Sequence, residues 1–351
     1  MPIGKREGEM IAAMSARWLK LAFLASLCAV VGVLSSGSAP AFACPNEQLR
    51  TGPSANLPDC RAYEMVSPLE KNGNYVSNGG GGSTLGQASS DGAGVVYLAT
   101  GSFPGSASGS LGGAYLASRG EGGWSSESLL PPQAFSYIND ASAVAPFFAA
   151  FSPDLSQGIL IDATDSPPLV SGEQETGHHA NLFLRDNATG AYSLLNFPAP
   201  GLVEPPRFEP TFDGASADFS TVVFDAPAAL TPEAPGGGAD NLYEWAGGAL
   251  ALVSQIPPAG ASSCGPSGPA CVAAAHGGSF GVENAHKTSQ SARASSLVRV
   301  ISGDGSRIFF SVEGNLYVRE NAITTVRVDA PQPGPGPGGG GVFATAAGDG
   351  S

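Results

Sequence analysis

A turn centred on aspartate recurs along the chain and is followed each time by the same kind of segment, so that one supersecondary unit repeats in tandem. The turns are Ser90-Asp91-Gly92, Pro153-Asp154-Leu155, Ala217-Asp218-Phe219, Gly303-Asp304-Gly305 and Gly348-Asp349-Gly350. After the first four come the apolar, β-branched runs Val95-Val96-Tyr97, Ile159-Leu160-Ile161, Val222-Val223-Phe224 and Ile308-Phe309-Phe310. A tight turn leading into such a run is the opening of a β-hairpin.

Each run is followed by a second strand: Ala114-Tyr115-Leu116, then three that begin Asn-Leu-aromatic at Asn181, Asn241 and Asn315. A third strand comes after a short polar or Gly-containing turn, as at Tyr192 to Leu195, Leu250 to Val253 and Thr324 to Arg327. A strand also precedes the turn, at Phe147 to Phe151 and Leu297 to Ile301. Four antiparallel strands per unit predict an all-β fold, a β-propeller of four-stranded blades. Successive Asp turns lie 63, 64, 86 and 45 positions apart. Only the last matches the ~40–45 residues of a compact blade, so the other units carry insertions. Four complete units and the start of a fifth, at Gly348 to Ser351, predict a truncated ring with more blades in the intact protein.

Composition supports the β reading. Gly 49 and Pro 29 punctuate the chain, only 13% of residues are charged, and no long segment beyond the first forty residues carries a helical apolar period. Residues 1–43 read as a signal peptide, with Lys5, Arg6, Arg17 and Lys20 ahead of the apolar stretch Leu21 to Leu34 and a small-x-small site at Ala41-Phe42-Ala43. Cys44 is then the mature N-terminus. An uncleaved anchor is the competing reading, but the stretch is shorter than the ~20 residues a spanning helix needs. A lipid-modified Cys44 is a further alternative.

The mature chain keeps 12 basic against 28 acidic residues, a net charge of −16. That surface repels nucleic acid and anionic lipid, so neither nucleic-acid binding nor membrane insertion after cleavage is expected. Four cysteines remain, an even count that in an exported chain reads as disulfides. Proximity favours Cys44 with Cys60 and Cys264 with Cys271. A metal site would need a different spacing.

The remaining organisation is an N-terminal disulfide-bridged segment, 44–84, and the propeller repeats, 85–351. Tyr63 to Ser67 reads like the outer strand Leu250 to Ser254, and is expected to close the ring by supplying the last blade's outer strand. With strands lettered a to d from the axis outward, the a–b and c–d connections are short. The long segments fall between b and c (99–113, 163–180, 225–240) and between d and the next a (131–145, 198–209, 255–296, 330–341), on one face of a propeller. Long loops on a rigid scaffold are a usual seat of binding. Phe103, Phe135, Tyr137, Asp165, His178, His179, Asp240, His276 and His286 are the candidate binding-face residues; the competing reading makes these loops solubilising spacers.

The Phe-Ser-Pro-Asp turn at 151–154, the Asp-Gly-Ser-Arg-Ile-Phe-Phe run at 304–310 and the Asn-Leu-Tyr strands resemble the WD-like repeats of TolB-type propellers. The N-terminal segment Cys44-Pro45-Asn46-Glu47, Leu49 to Gly52 and Leu57 to Glu64 resembles secreted actinobacterial propeller proteins of unassigned function. These resemblances imply an extracellular propeller and no particular chemistry.

No residue set makes a convincing catalytic constellation. Gly277-Gly278-Ser279-Phe280-Gly281 matches a nucleophile elbow but lacks its strand and helix context. His178-His179 with Glu173 and Glu175 could hold a cation, and is read as a loop tip. The turn aspartates are read as structural, accepting hydrogen bonds from following amides. Asn187-Ala188-Thr189 is a formal glycosylation sequon on a turn and is read only as exposed. No metal or cofactor is expected. The leading functional reading is a secreted, non-enzymatic platform for an unidentified protein or carbohydrate ligand; the alternative is an extracellular propeller hydrolase or lyase acting on polysaccharide or peptide.

Overall fold

A computed structural model describes residues 44, 46–77, 86–108, 113–132, 147–162, 168–171, 181–202, 210–236, 241–258, 264, 271–272, 276–277, 300–331, 340–341, 343 and 346–351. The chain divides into two compact units at Met65.

In the first unit the short 3-10 turns Glu47–Leu49 and Gly52–Asn56 sit within the loop closed by the Cys44–Cys60 disulfide. The Arg50 guanidinium braces that loop by donating to three carbonyls: Arg61 at 2.7 Å, Ala55 at 3.0 Å and Leu57 at 3.1 Å. A bidentate, always-charged fork suits this task, since it satisfies several backbone acceptors at once.

The second unit is built of strands: β1 (Val76–Ser77), β2 (Gln87–Ala88), β3 (Gly94–Ala99), β4 (Gly113–Gly120), β5 (Gly123–Ser128), β6 (Phe147–Phe151), β7 (Gln157–Asp162), β8 (Asn181–Asp186), β9 (Tyr192–Leu194), β10 (Thr211–Ala215), β11 (Thr221–Ala226), β12 (Asn241–Ala246), β13 (Ala249–Leu252), β14 (Gln255–Ile256), β15 (Cys271–Val272), β16 (His276–Gly277), β17 (Arg307–Val312), β18 (Asn315–Glu320) and β19 (Thr324–Arg327). They form four antiparallel sheets, the first around β3-β4-β5, then β6-β7-β8-β9, β10-β11-β12-β13 and β16-β17-β18-β19, with β14-β15 as a small ribbon. Four such sheets packed in succession are an all-β, propeller-like fold.

Alternation along the strands gives each sheet two apolar faces. Val223 and Leu242 point toward the fourth sheet, packing with Ile308, Phe310 and Tyr317. Their neighbours Val222, Phe224 and Tyr243 point toward the second sheet, packing with Ile159, Ile161 and Leu182. The first and second sheets meet through Val96, Ala114, Phe148, Leu160 and Phe183. No sheet could bury both faces alone, so the repeats depend on their neighbours.

The Asp turns have one geometry. The residue after the aspartate has positive φ in each: Gly92 74°, Leu155 61°, Phe219 56°, Gly305 78° and Gly350 75°. Glycine takes this conformation at little cost. Leu155 and Phe219 adopt it because their side chains are buried, in the cores between the first two sheets and between the second and third.

Two sequence expectations are corrected here. The inner partner of β17 comes in two pieces, Ile301 bridging Ile308 and His276-Gly277 pairing Ser311 and Phe310, whereas a single strand was expected at Leu297 to Ile301, of which 297–299 lie outside the described residues. The first sheet is built likewise, with β2 opposite Val95 and Val96 and β1 opposite Leu98 and Ala99. In the second and third sheets the inner strand is continuous and carries a bulge at the equivalent place, between Phe148 and Ala150 and between Phe212 and Gly214. The bulge of two sheets is thus the insertion point of the other two, at 78–86 and 278–299.

Tyr63 to Ser67 is not a strand. Val66 accepts a hydrogen bond from Ser126 Oγ (3.1 Å) on the outer strand of the first sheet and packs against that sheet's core. The outer strand of the fourth sheet is the chain's own β19.

Candidate functional site

The two edges of each sheet differ, and the difference decides where a site can be built. At the Asp-turn edge the serines and aspartates of the turns bond one another locally. Ser152, Ser216 and Ser302 donate their hydroxyls to the turn carboxylate two residues on, at 2.7, 2.8 and 2.6 Å. The carboxylates of Asp154, Asp218 and Asp304 also accept the amide and hydroxyl of Ser156, Ser220 and Ser306.

These bonds favour the charged form. The Ser302 hydroxyl, with the Ser306 amide and hydroxyl, draws the Asp304 carboxyl down to about 2. Asp91, Asp154, Asp218 and Asp349 are lowered too, by hydrogen bonds from their own turns. Carboxylates this acidic are poor proton carriers near neutrality. They act as turn locks, as read from the sequence.

Consecutive turns are stitched through the residue before the aspartate. The Ser90 amide donates to Pro153 O (2.8 Å), Ala217 to Gly303 O (2.8 Å) and Gly303 to Gly348 O (2.6 Å). Pro153 has no N–H, so this residue cannot pass the series on to Ala217.

The opposite edge carries the longer b–c connections, and tyrosines on the third strands of two sheets pin them. Tyr115 Oη on β4 accepts the Phe103 amide at 2.7 Å, four residues beyond the end of β3. Tyr243 Oη on β12 accepts the Leu230 amide at 2.9 Å, four residues beyond the end of β11, and donates to Ala228 O at 2.5 Å. Burial, opposed by the Leu230 amide, pushes the Tyr243 phenol up to about 12. Asn241 adds bonds from its amide nitrogen to Ala228 O and Pro235 O, each 3.0 Å. The fourth sheet joins the same strands with only Glu313 and Gly314.

Of the candidate binding-face residues, Phe103 is not on a surface. It is 3% exposed and stacked on Tyr115 with ring centroids 4.5 Å apart. The backbone of His276 lies in β16, paired with Ser311, rather than in a loop between sheets. Phe135, Tyr137, Asp165, His178, His179, Asp240 and His286 lie outside the described residues, as do Ser279, Glu173 and Glu175. Cys264 is disulfide-bonded; nothing is described of the Cys271 side chain. The Asn187 sequon, expected to be exposed, is instead closed to modification in the folded chain. Its side chain is buried, donating to Leu155 O (2.8 Å) and accepting from Arg185 Nη1 (2.6 Å).

The Glu244 carboxyl is shifted upward. Burial raises Glu244, against the pull of Arg319 on the adjoining sheet. Arg319 is itself held by Thr325 Oγ1 (3.1 Å) and Ala322 O (2.7 Å). Both side chains are buried, and their charges attract each other between the third and fourth sheets. Among the described residues no group of His, Cys, Asp and Glu could hold a metal ion.

The tyrosine pins and the divided inner strands escaped sequence reasoning. The pins had a signal, since Tyr115 and Tyr243 are the third-strand tyrosines that follow long b–c connections, where the second sheet has Phe183. The two-residue strands had none.

No family model matches the chain, and no curated protein does. Among solved structures it is similar to TolB from Acinetobacter baumannii, at 11% identity and a TM-score of 0.29, over 68% of this chain and 40% of that one. It is also similar to the β-propeller domain of the Trilobed protease from Pyrococcus furiosus, at 9% identity and a TM-score of 0.22, over 73% of this chain and 71% of that one. The chain therefore spans about two-fifths of the TolB chain. The likeness of the N-terminal segment to actinobacterial proteins finds no support in these matches.

Proposed function

We propose that this chain is a secreted, non-enzymatic propeller that binds a protein or carbohydrate ligand through the edge carrying its long b–c connections. The observation that carries the reading is the contrast between edges. Asp turns close one edge with local hydrogen bonds, while at the other Tyr115 and Tyr243 anchor longer connections to rigid strands. A loop fixed at its base loses less entropy on binding than a free one. The Cys44–Cys60 disulfide fits an oxidising compartment. No helix among the described residues is long and apolar enough to cross a membrane.

The hydrolase or lyase alternative gains nothing from Glu244, whose raised carboxyl faces Arg319 between sheets. The test is a glycan array and a peptide library probed with the exported protein. A second protein has residues 227–240 replaced by the Glu-Gly turn of the fourth sheet. Binding that disappears with the replacement supports the reading; binding that survives this and the matching change at 100–112 sinks it.

A further inference from the structure

Among the described residues glycine directly follows an aspartate or asparagine at Asn72-Gly73, Asp91-Gly92, Asp213-Gly214, Asp304-Gly305 and Asp349-Gly350. In such a pair the side-chain carbonyl carbon and the next amide nitrogen can join in a five-membered imide, because glycine has no Cβ to block the approach. The aspartate pairs are locked against it. Asp213 is 0% exposed within β10. In the three turns the glycine amide is already engaged, Gly92 with Ser89 O at 3.0 Å, Gly305 with Ser302 O at 3.0 Å and Gly350 with Ala347 O at 2.9 Å. The turn carboxylates also accept hydrogen bonds that hold them ionised, and an ionised carboxylate resists attack.

Asn72-Gly73 has neither lock. The Asn74 amide closes this turn on Lys71 O at 2.9 Å, and both central residues have positive φ, 54° and 75°, as in the primed turn that favours Asn-Gly. Asn72 and Gly73 are exposed, and neither the Gly73 amide nor the Asn72 carboxamide hydrogen-bonds to any described residue. We infer that Asn72 is a site of covalent modification, converting through a cyclic imide to isoaspartate and aspartate while the chain stays folded. The Gly73 nitrogen gives its proton to solvent base and bonds to Asn72 Cγ; the Cγ–Nδ2 bond breaks, and Nδ2 takes a proton from water and leaves as ammonia. Water then opens the imide, its hydroxyl bonding one ring carbonyl carbon and its proton returning to the Gly73 nitrogen. Opening at Cγ gives aspartate. Opening at the main-chain carbon gives isoaspartate, which routes the backbone through one additional methylene, and either product gains a negative charge. That turn delivers the chain to the first sheet: Asn74 Nδ2 donates to Ser102 O (3.1 Å), the Tyr75 amide to Thr100 Oγ1 (3.2 Å) and the Thr100 amide to Tyr75 O (3.0 Å). A longer backbone at residue 72 pulls these partners out of register.

The test incubates the full chain at neutral pH, folded and in guanidinium chloride, and maps isoaspartate by enzymatic carboxyl methylation with fragment mass spectrometry. Fragmentation separates residue 72 from Asn78-Gly79, which lies outside the described residues. The inference expects residue 72 to convert in the folded chain within about threefold of its rate in denaturant, because an exposed turn reacts without global opening. Asp91 and Asp304 should be slowed by folding at least about tenfold. In the isoaspartate fraction the Thr100 amide should exchange hydrogen about tenfold faster. Asn72→Gly, which keeps a residue at ease with positive φ, should abolish the label at 72 and leave Thr100 exchange unchanged on incubation. An Asn72 that stays amidated in the folded chain after the denatured sample has converted overturns the inference, as do Asp91 and Asp304 turns that folding does not slow.

Discussion

The first and fourth of the described sheets each turn one face away from the other sheets, and the two faces are finished in opposite ways. On the first sheet the face turned away from the second is covered by the chain's own parts: Phe103 folds back onto Tyr115, and Val66 and Trp124 pack beside Tyr97 and Ala117. Tyr97 donates its hydroxyl to Ser126 (2.9 Å), which in turn holds Val66. On the fourth sheet the outward face keeps Val326 and Val328 45% and 47% exposed. The same repeat therefore supplies a closed end when its b–c connection is long enough to fold over the sheet, and an open one when two residues make the turn.

The sharpest way to break that comparison is to place one charge at two equivalent positions. Val253→Asp puts a carboxylate in the dry contact between the third and fourth sheets and should cost about 4 kcal/mol. Val328→Asp, on the open face, should cost about 1 kcal/mol or less. Urea unfolding of both variants reads the difference directly, and equal costs would mean that the fourth face is covered after all. Next in size is Phe103→Ala, which removes the ring that closes the first sheet and should lose about 3–4 kcal/mol. Tyr243→Phe tests the pin rather than the lid. It leaves the buried Leu230 amide without its acceptor, for about 2 kcal/mol.

Much of this was legible because it is local. The Ser-x-Asp turn makes its bonds within five residues, so a serine and an aspartate at the right spacing specify it without help from the fold. Asn-Leu-aromatic strands were equally plain, since alternation and aromatic content act through the two faces each strand presents. Phe103 misled because its context, Ser102 and Pro104 in a Gly- and Ser-rich stretch, reads as surface. Its burial is set by Tyr115, twelve residues away. His276-Gly277 forms a strand only because β17 offers an unpaired edge, and two residues hold no periodicity to detect. Val66 was assigned to the wrong sheet for a related reason: alternation says that a segment fits a sheet, not which one.

Acid separates the interior turns from the last one. Asp304 lies in a turn stitched on both sides, to Ala217 and to Gly348, whereas the Asp349 turn is stitched on one. Because the folded chain holds the Asp304 carboxyl near 2, below its ordinary value near 4, the stability it lends is present above about pH 4 and is lost as pH falls toward 2. Asn keeps an oxygen acceptor but does not titrate. Asp304→Asn should therefore flatten the acid limb of the stability curve between those values. Asp349→Asn should flatten that limb less, since the Asp349 carboxyl, although lowered too, is bonded by Ser351 alone and has Ala347 where the other turn has Ser302. Acid titration followed by tryptophan fluorescence distinguishes the two.

The smallest effect concerns Pro153, the residue unable to pass on the hydrogen bond between turns. Pro153→Ala restores an N–H that can reach Ala217 O, as the Ala217 amide reaches Gly303 O at 2.8 Å. The new bond is worth about 1 kcal/mol, while loss of the proline ring frees the unfolded chain by about 0.4–1 kcal/mol. The two nearly cancel, so the thermal midpoint should hardly move. Hydrogen exchange sees what stability does not: the new amide at 153 should be protected to the degree of the Ala217 amide. An amide that exchanges freely would show that the second and third turns do not meet as the others do. The proline would then mark a true break in the series, dividing the closed first end from the open last one.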